Sequence, residues 1–295
     1  MIREYGKWPE SSWKSDKLDS ADKKGVVAGA DIGTTSAQAV VMSGSELISY
    51  ANIRLRADFR SGAQEVLDRA LEGTGYAPAD LAGIGVTGYG KRNAAYATKS
   101  LDEVHCHGMG ARFLFGPEVT TVVDLGAQTV NAIRLYDWDR VRDFMANDIC
   151  STGFGRNIEM ICQLLHVPIT EIGEKSLDLG EKPDPEPVST TCYCFAETET
   201  MGLFRPEFKA EPLSENEIYA SHLFSVAWRI LGVIGKLQPL DVGDIKVFGG
   251  LGFTGGLAKN PGITKRIERE LNAVALESKY DPMLAGAIGA ALLAR

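Results

Sequence analysis

The chain has 295 residues, of which 44% are hydrophobic and 24% charged, which is typical of a globular protein long enough to form two lobes. Its net charge of −8 argues against a nucleic-acid partner, and the mixed-charge stretch at residues 1–24 does not have the pattern of a secretory signal. The longest apolar run, at 283–294, is too short to span a membrane. We therefore expect a cytoplasmic protein whose five cysteines are thiols or ligands.

Residues 1–24 form a polar arm that carries Trp8 and Trp13. Two interpretations of this arm stay open. Terminal segments without apolar periodicity are often disordered. Tryptophans on such a segment instead favour an arm that docks on a partner subunit.

Two segments repeat a strand–turn–strand pattern around Asp-x-Gly. The first is Asp-Ile-Gly-Thr-Thr at 31–35, and the second is Asp-Leu-Gly-Ala-Gln at 124–128. Glycine permits the tight turn and lets backbone N–H groups approach a phosphate. The repeat therefore predicts two similarly built lobes that face each other across a nucleotide cleft.

The remaining segments alternate between helical and strand patterns. Helices are predicted at 61–71, 103–114, 153–165, 218–237, 261–271 and 282–293, and strands at 81–87 and 245–248. The stretch 167–187 is rich in Pro, Glu and Asp and predicts an irregular excursion, and the glycines at 249–252 predict a loop. This alternation indicates an α/β fold.

Two cysteines lie in surroundings typical of a loop or a helix start. Cys150 precedes Ser-Thr-Gly-Phe-Gly-Arg, and Cys192 follows Ser-Thr-Thr and precedes Tyr-Cys-Phe-Ala-Glu. Thiols on loops beside phosphate-binding turns suggest ATP hydrolysis coupled to redox chemistry. Cys194 is a rival ligand, since on a strand it would share the face of Cys192. Cys162 is expected in the core.

These motifs, in this order, resemble those of the actin, sugar kinase and Hsp70 superfamily, with 31–35 and 124–128 as phosphate motifs and 254–260 as the adenosine motif. Segments 87–91 and 107–111 and both cysteine segments resemble one branch, the BadF/BadG/BcrA/BcrD-type ATPases. That branch contains activators of 2-hydroxyacyl-CoA dehydratases and electron-activating subunits of ATP-dependent benzoyl-CoA reductase. The resemblance implies duplicated ribonuclease H-like lobes: the first at 25–120, and the second at 121–295 with a cluster-ligand segment at 147–199. The C-terminal helix is free to return to the first lobe.

The resemblance implies ATP and Mg²⁺ as cofactors. Asp31 would hold Mg²⁺ through water, Gln128 would position the attacking water, and Asp124 is the matching acid of the second loop. The expected nucleotide contacts are Gly33, Thr34, Thr35, Gly126, Ala127, Gly255, Gly256 and Asn260. A second Gly-Gly stands at 249–250, but the pair at 255–256 is preferred because Ala-Lys-Asn-Pro follows it, as in the family.

A Cys₄ iron–sulfur site needs more thiolates than Cys150 and Cys192 of one chain supply, but two subunits can complete it. The resemblance implies a 4Fe–4S cluster shared across the interface of two related ATPase subunits, in a homodimer or heterodimer. Ferredoxin or a similar donor would reduce it, and ATP hydrolysis would drive the electron to catalytic subunits. Phe154 and the chain length resemble the benzoyl-CoA reductase branch of anaerobic aromatic degradation, which we prefer over a dehydratase activator. No nucleic acid or membrane is expected as a partner.

Two further interpretations stay open. A sugar-type kinase needs a carboxylate base, and Gln128 in place of an acid weakens that reading. A nucleotide-dependent regulatory subunit would need no turnover. The run His105-Cys106-His107 is a poor metal site, because alternating residues on a helix point in different directions. We expect His107 to make a structural hydrogen bond.

Overall fold

The structure is a computed structural model that describes residues 4–16, 25–136, 140–148, 150, 153–188, 192–203, 212–237 and 249–295. The strands are β1 (Ser11–Lys14), β2 (Val26–Ile32), β3 (Ser36–Ser43), β4 (Glu46–Arg54), β5 (Gly83–Thr87), β6 (Lys99–Ser100), β7 (Val119–Leu125), β8 (Val130–Leu135), β9 (Val141–Ala146) and β10 (Gly250–Thr254). The α-helices are α1 (Phe59–Leu71), α2 (Glu103–Phe115), α3 (Phe154–Leu164), α4 (Ile169–Lys175), α5 (Ala196–Leu203), α6 (Glu215–Lys236), α7 (Pro261–Leu271) and α8 (Ala285–Leu293).

The strands form two sheets that repeat one plan. The larger sheet has the order β1-β4-β3-β2-β5-β6, and the smaller has the order β10-β7-β8-β9. In each, an antiparallel hairpin (β2–β3 or β7–β8) is flanked by a strand parallel to its first member (β5 or β10). Because the two sheets share this plan, Asp31 and Asp124 occupy equivalent positions near the ends of β2 and β7.

Three apolar clusters hold the sheets and helices together. Helix α1 buries Val66 and Leu67 against one face of the larger sheet. Helices α3, α6 and α7 pack on the smaller sheet, where Ile158, Ile230 and Ile263 are fully buried. Helices α2 and α8 contribute to a cluster that includes side chains of both sheets. The two sheets are therefore joined through α2 and α8, which fixes the space between the two hairpin turns.

Helix α8 lies in backbone contact with its neighbours. A Cβ atom added to Gly29 of β2 would lie 2.0 Å from the Ala287 carbonyl oxygen, and one added to Gly289 of α8 would lie 1.8 Å from the Cys106 carbonyl oxygen. Such distances leave no room for any side chain larger than hydrogen, because interiors are close-packed. Glycine at these positions lets α8 fit between the larger sheet and α2.

All six predicted helices are present, with ends shifted by a few residues, and the strand predicted at 81–87 is β5. The irregular excursion expected at 167–187 is wrong in part, because it contains α4, whose Ile169 and Ile172 are buried in the core. The loop expected at 249–252 is wrong too, since β10 begins at Gly250. The strand predicted at 245–248 lies outside the described residues. The arm is folded where it is described, at 4–16, and β1 pairs with β4.

Helix α6 is long and apolar enough to cross a membrane by length and composition alone. However, 72% of its most apolar 18-residue stretch is buried inside the protein, where the helix packs against α3 and α7. Buried core helices pass the same test as membrane spans. We therefore interpret α6 as a core helix of the cluster on the smaller sheet.

The pH dependence of stability should report on His222, a fully buried residue of α6. Its Nε2 lies 2.7 Å from Thr200 Oγ1, and burial lowers its pKa from 6.5 to about 3. Below pH 6.5 the unfolded chain takes up a proton that the folded protein cannot accept, so stability present at neutral pH is lost as the pH falls. Between pH 7 and pH 5 this group alone should remove about 2 kcal/mol from the free energy of unfolding.

Urea unfolding of the His222→Gln variant at both pH values tests this expectation. The loss between pH 7 and pH 5 should shrink by about 2 kcal/mol relative to the unmodified protein. The exposed His105→Gln variant is the control. An unchanged pH dependence in His222→Gln would show that this imidazole is not buried in its neutral form.

Candidate functional site

Both Asp-x-Gly turns line one cavity of about 550 Å³. In the first turn the Gly33 N–H donates to the Ser36 carbonyl at 3.0 Å, and in the second the Gly126 N–H donates to the Thr129 carbonyl at 3.0 Å. A Cβ atom on Gly126 would lie 2.8 Å from that carbonyl oxygen, so the turn needs glycine. The predicted phosphate contacts that line the cavity are Gly33, Thr34, Thr35, Gly126 and Ala127.

The two loop carboxylates are bridged by a histidine from α2. His107 Nε2 lies 3.5 Å from Asp31 Oδ2, and His107 Nδ1 lies 3.4 Å from Asp124 Oδ1 and 3.1 Å from Thr254 Oγ1. Asp124 also accepts a hydrogen bond from Asn131 Nδ2 at 3.1 Å. The bridge therefore ties the end of β2 to the end of β7 through one imidazole ring.

Burial and neighbouring charges shift the pKa values of His107 and Asp124 in opposite directions. Burial alone would lower the pKa of His107, but Asp124 and Asp31 raise it to about 9. Burial raises the pKa of Asp124 above its usual range, although His107 and Asn131 oppose that shift. Both carboxylates thus favour the protonated imidazole, whose two ring nitrogens face Asp31 on one side and Asp124 on the other.

Glu103 stands one helical turn before His107 on α2 and also lines the cavity. Burial, together with the nearby Asp31 and Asp124, raises its pKa to about 7. Its carboxylate, His107 and Asp124 place possible ligand atoms within 4.8 Å of one another. The trio belongs to a network of neighbouring charges in which Asp124 and Asp31 favour the protonated form of His107.

Only part of the predicted adenosine motif lines the cavity. Gly255 and Gly256 line the cavity, and Gly255 has a φ of 84°, in the region that favours glycine. Asn260 is 1% exposed, precedes α7 and is not among the cavity-lining residues. The competing pair, Gly249 and Gly250, packs on Thr120 and Glu118 at the start of β7, away from the loop carboxylates.

Gln128 lines the cavity, and its backbone is hydrogen-bonded to Cys150. The Cys150 N–H donates to the Gln128 carbonyl at 3.4 Å. At the start of α3, the Gly155 N–H donates to the Gly126 carbonyl at 3.4 Å and the Arg156 N–H donates to the Ala127 carbonyl at 2.9 Å. The second phosphate loop is therefore hydrogen-bonded along its length to the segment that bears Cys150.

The five cysteines fall into two groups. Cys106 and Cys162 are fully buried, and burial raises the pKa of each to about 12. Cys150 and Cys192 are half-buried, and Cys194 is exposed. Cys150 precedes α3, which starts at Phe154 after Gly153, and Cys192 precedes a 3₁₀ turn at Tyr193–Phe195 that leads into α5. Cys194 thus lies on a 3₁₀ turn and not on a strand, so the shared-face argument for it as a ligand fails.

The sequence pattern of the BadF/BadG/BcrA/BcrD ATPase family matches residues 28–294. The chain belongs to the BadF/BadG/BcrA/BcrD ATPase family. It is 33% identical to the activator of lactoyl-CoA dehydratase of Anaerotignum propionicum, over 90% of this chain and 96% of that protein. It is 30% identical to a benzoyl-CoA reductase subunit of Thauera aromatica, over 90% of this chain and 92% of that protein.

A solved structure carries the same fold. The activator of the 2-hydroxyisocaproyl-CoA dehydratase from Clostridium difficile, with bound ADPNP, superposes with a TM-score of 0.77 at 29% identity, covering 91% of this chain and 94% of that one. The predicted α/β fold of the actin and sugar kinase type is confirmed. This member of the BadF/BadG/BcrA/BcrD family is thus an ATPase-family protein whose relatives are named for dehydratases and for a reductase.

Three features that line or border the cavity were not predicted from the sequence. His107 makes the expected hydrogen bond, to Thr254, but its place between the two carboxylates was not expected. Glu103 was not singled out at all. Residues 7–10 of the arm also line the cavity. The spacing of four residues between Glu103 and His107, one turn of a helix, was the available signal for their shared face.

Proposed function

We propose that this protein hydrolyses ATP to drive a low-potential electron from a shared 4Fe–4S cluster to a catalytic partner that acts on a CoA thioester. One observation carries the proposal: Gly126, Ala127 and Gln128 of the second phosphate loop are hydrogen-bonded to the Cys150 segment and the start of α3. A nucleotide that moves this loop must also move the backbone beside Cys150. Ferredoxin or a similar carrier is the proposed donor, and the proposed location is the cytoplasm.

The cysteines fit a cluster that two subunits complete. Ligand thiols must be deprotonated and must reach the surface where subunits meet. Cys106 and Cys162 fail on both counts, since they are buried with raised pKa values. Cys150 and Cys192 are half-buried, and Cys150 lies just before the start of α3, where N–H groups favour negative charge. When bound, the cluster would supply a single electron at low potential; related subunits in a homodimer or heterodimer would each provide both thiolates.

The residues of the cleft have separable tasks in hydrolysis. The Gly33 and Gly126 N–H groups close their turns by donating to Ser36 and Thr129. The N–H groups of the residues that follow each glycine would therefore be the ones that bind phosphate oxygens. Asp31 would hold Mg²⁺ through water, and the Gln128 amide would orient the attacking water. His107 bridges Asp31 and Asp124, so it would keep the two loops in register as the cleft closes. Asn260 does not line the cavity, and its backbone carbonyl accepts the first N–H bonds of α7, so we assign it no contact to the nucleotide.

For the catalytic partner we favour a 2-hydroxyacyl-CoA dehydratase over benzoyl-CoA reductase, the assignment preferred from sequence. The relatives at 31% and 33% identity are both named as dehydratase activators, and so is the superposed structure. Phe154, on which the preference for the reductase rested together with the chain length, is a buried core residue with a φ of 46°. Reconstitution with each catalytic component separately decides between these two assignments.

Coupling between nucleotide and cluster is the expected result that tests the proposal. Protein purified without oxygen should be brown and carry iron and sulfide. An iron chelator should then remove the metal at different rates with ADP and with a non-hydrolysable ATP analogue, because ATP can do conformational work only if it prefers one arrangement of the lobes. The electron paramagnetic resonance spectrum of the reduced protein should shift between the two nucleotides.

The Gly126→Val variant is the matched control, since it blocks the loop turn without altering a cysteine. It should keep iron but lose the dependence of chelation on nucleotide. Identical chelation rates and spectra with no nucleotide, ADP and the analogue would contradict the coupling. A colourless preparation that phosphorylates a sugar would instead support the kinase interpretation.

A further inference from the structure

The N-terminal arm is attached at one end to the helices that pack on the smaller sheet. The Ile169 N–H of α4 donates to the Tyr5 carbonyl at 2.8 Å, and the Tyr5 N–H donates to Gln163 Oε1 at 3.1 Å. The Tyr5 ring lies 5.4 Å from the His166 ring, measured between centroids. Gly6 is buried, with its Cα packed on the backbone of Glu159 in α3.

The same arm is attached to the larger sheet at its other end. Strand β1 pairs antiparallel with β4, and the Glu10 carboxylate accepts hydrogen bonds from the Arg54 N–H at 3.1 Å and from Arg69 Nη1 at 2.8 Å. These contacts hold the pKa of Glu10 below its usual range, against the effect of burial. Residues 7–10 therefore cross from one sheet to the other and line the cavity on the way.

Trp8 is the large side chain of this crossing segment. Its indole Nε1 lies 3.8 Å from the position that a Cβ atom would take on Gly256, which places the ring beside the Gly-Gly turn. Lys259 Nζ lies 5.3 Å from the ring centroid and pairs with Asp281 at 2.7 Å. The indole is half-buried and packs against the core of the smaller sheet. It is therefore held in place at the cavity, beside the predicted adenosine motif.

We propose that Trp8 is a nucleoside-binding residue, and that the arm supplies an aromatic wall beside the Gly255–Gly256 turn, against which the purine base of ATP lies. Every base offers an aromatic face, and an indole provides a matching flat apolar surface. Gly256 carries no side chain that would fill the space beside the ring. The family pattern begins at residue 28, so this contact comes from a segment outside it. The inference rests on the proposed nucleotide site.

Isothermal titration calorimetry of the Trp8→Ala variant, with ATP and with inorganic tripolyphosphate, tests the contact between Trp8 and the base. Loss of one base–aromatic contact should weaken ATP binding by about tenfold. Binding of tripolyphosphate should not change, because that ligand uses the phosphate loops but has no base. Trp13→Ala is the matched control: Trp13 lies on the same arm but is 40% exposed and stacks on Tyr50. It should bind both ligands as the unmodified protein does.

Tryptophan fluorescence distinguishes a contact with the base from a purely structural role of the arm. ATP should change the tryptophan emission of the unmodified protein and of Trp13→Phe, but not of Trp8→Phe. Weakened binding of both ligands by Trp8→Ala would show that the arm acts by holding the lobes together, and would overturn the contact. Unchanged or tighter ATP binding would overturn it as well. Equal binding of ATP and tripolyphosphate by the unmodified protein would show that the base contributes nothing, and would also overturn the contact. If the unmodified protein binds neither ligand, the nucleotide site itself is wrong.

Discussion

Replacing Gln128 with alanine should slow ATP hydrolysis by about a hundredfold while leaving the dissociation constant for ATP nearly unchanged. The side-chain amide lines the cavity beside the second phosphate turn, where it can orient water without accepting a proton. Its backbone carbonyl, which accepts the hydrogen bond from the Cys150 N–H, is kept in the variant. Phosphate release under steady-state conditions and equilibrium binding of an ATP analogue measure the two effects separately.

Two comparisons make this result specific. Gln64→Ala changes an exposed glutamine of α1 that pairs with Asp68, and it should hydrolyse ATP normally. Asp31→Asn should weaken the dependence on Mg²⁺, whereas Gln128→Ala should keep it. If Gln128→Ala loses ATP binding as severely as turnover, the amide contacts the nucleotide itself and does not position water.

Replacing Cys150 or Cys192 with serine should abolish cluster assembly, because a Cys₄ site shared by a homodimer would lose ligands in pairs. Iron and acid-labile sulfide, measured after anaerobic purification, should fall to background in either variant. Nucleotide binding should survive, since the Cys150 backbone bonds to the phosphate loop do not involve the thiol. In a heterodimer the same losses should appear whichever subunit carries the change.

The other three cysteines give the controls. Cys194→Ser alters an exposed thiol and should retain most of the iron. Cys106→Ser and Cys162→Ser alter buried thiols and should retain iron in whatever fraction stays folded. Retention of iron by Cys192→Ser together with its loss in Cys194→Ser would reverse the assignment of the second ligand.

The nucleotide turns were predictable because they are local. Asp31 and Asp124 are each the last residue but one of a buried strand, a glycine follows each two residues later, and the next strand begins a few residues on. Secondary-structure periodicity and turn chemistry are enough to detect such a unit. The choice of Gly255 over Gly249 rested on the family resemblance, because Ala-Lys-Asn-Pro follows Gly256, and Pro261 begins a helix.

The bridge by His107 was not predictable in the same way. It forms only because α2 packs with α8 between the two sheets and brings one face of the helix to both strand ends. Trp8 is a second example, since the arm has no periodicity of its own and is ordered by pairing of β1 with β4 and by Ile169. Positions of this kind depend on tertiary packing, which a single sequence does not encode locally.

The packing of α8 on β2 affects the order in which the chain folds during translation. Strand β2 leaves the ribosome long before α8, yet Gly29 of β2 packs directly on the backbone of Ala287 and Ala291. Until α8 arrives, the larger sheet exposes an apolar face, and contacts between distant parts of a chain form slowly. In a nascent chain, the strand that carries Asp31 therefore lacks the helix on which it packs. We therefore expect nucleotide binding at Asp31 to begin only after α8 has left the ribosome and packed on β2.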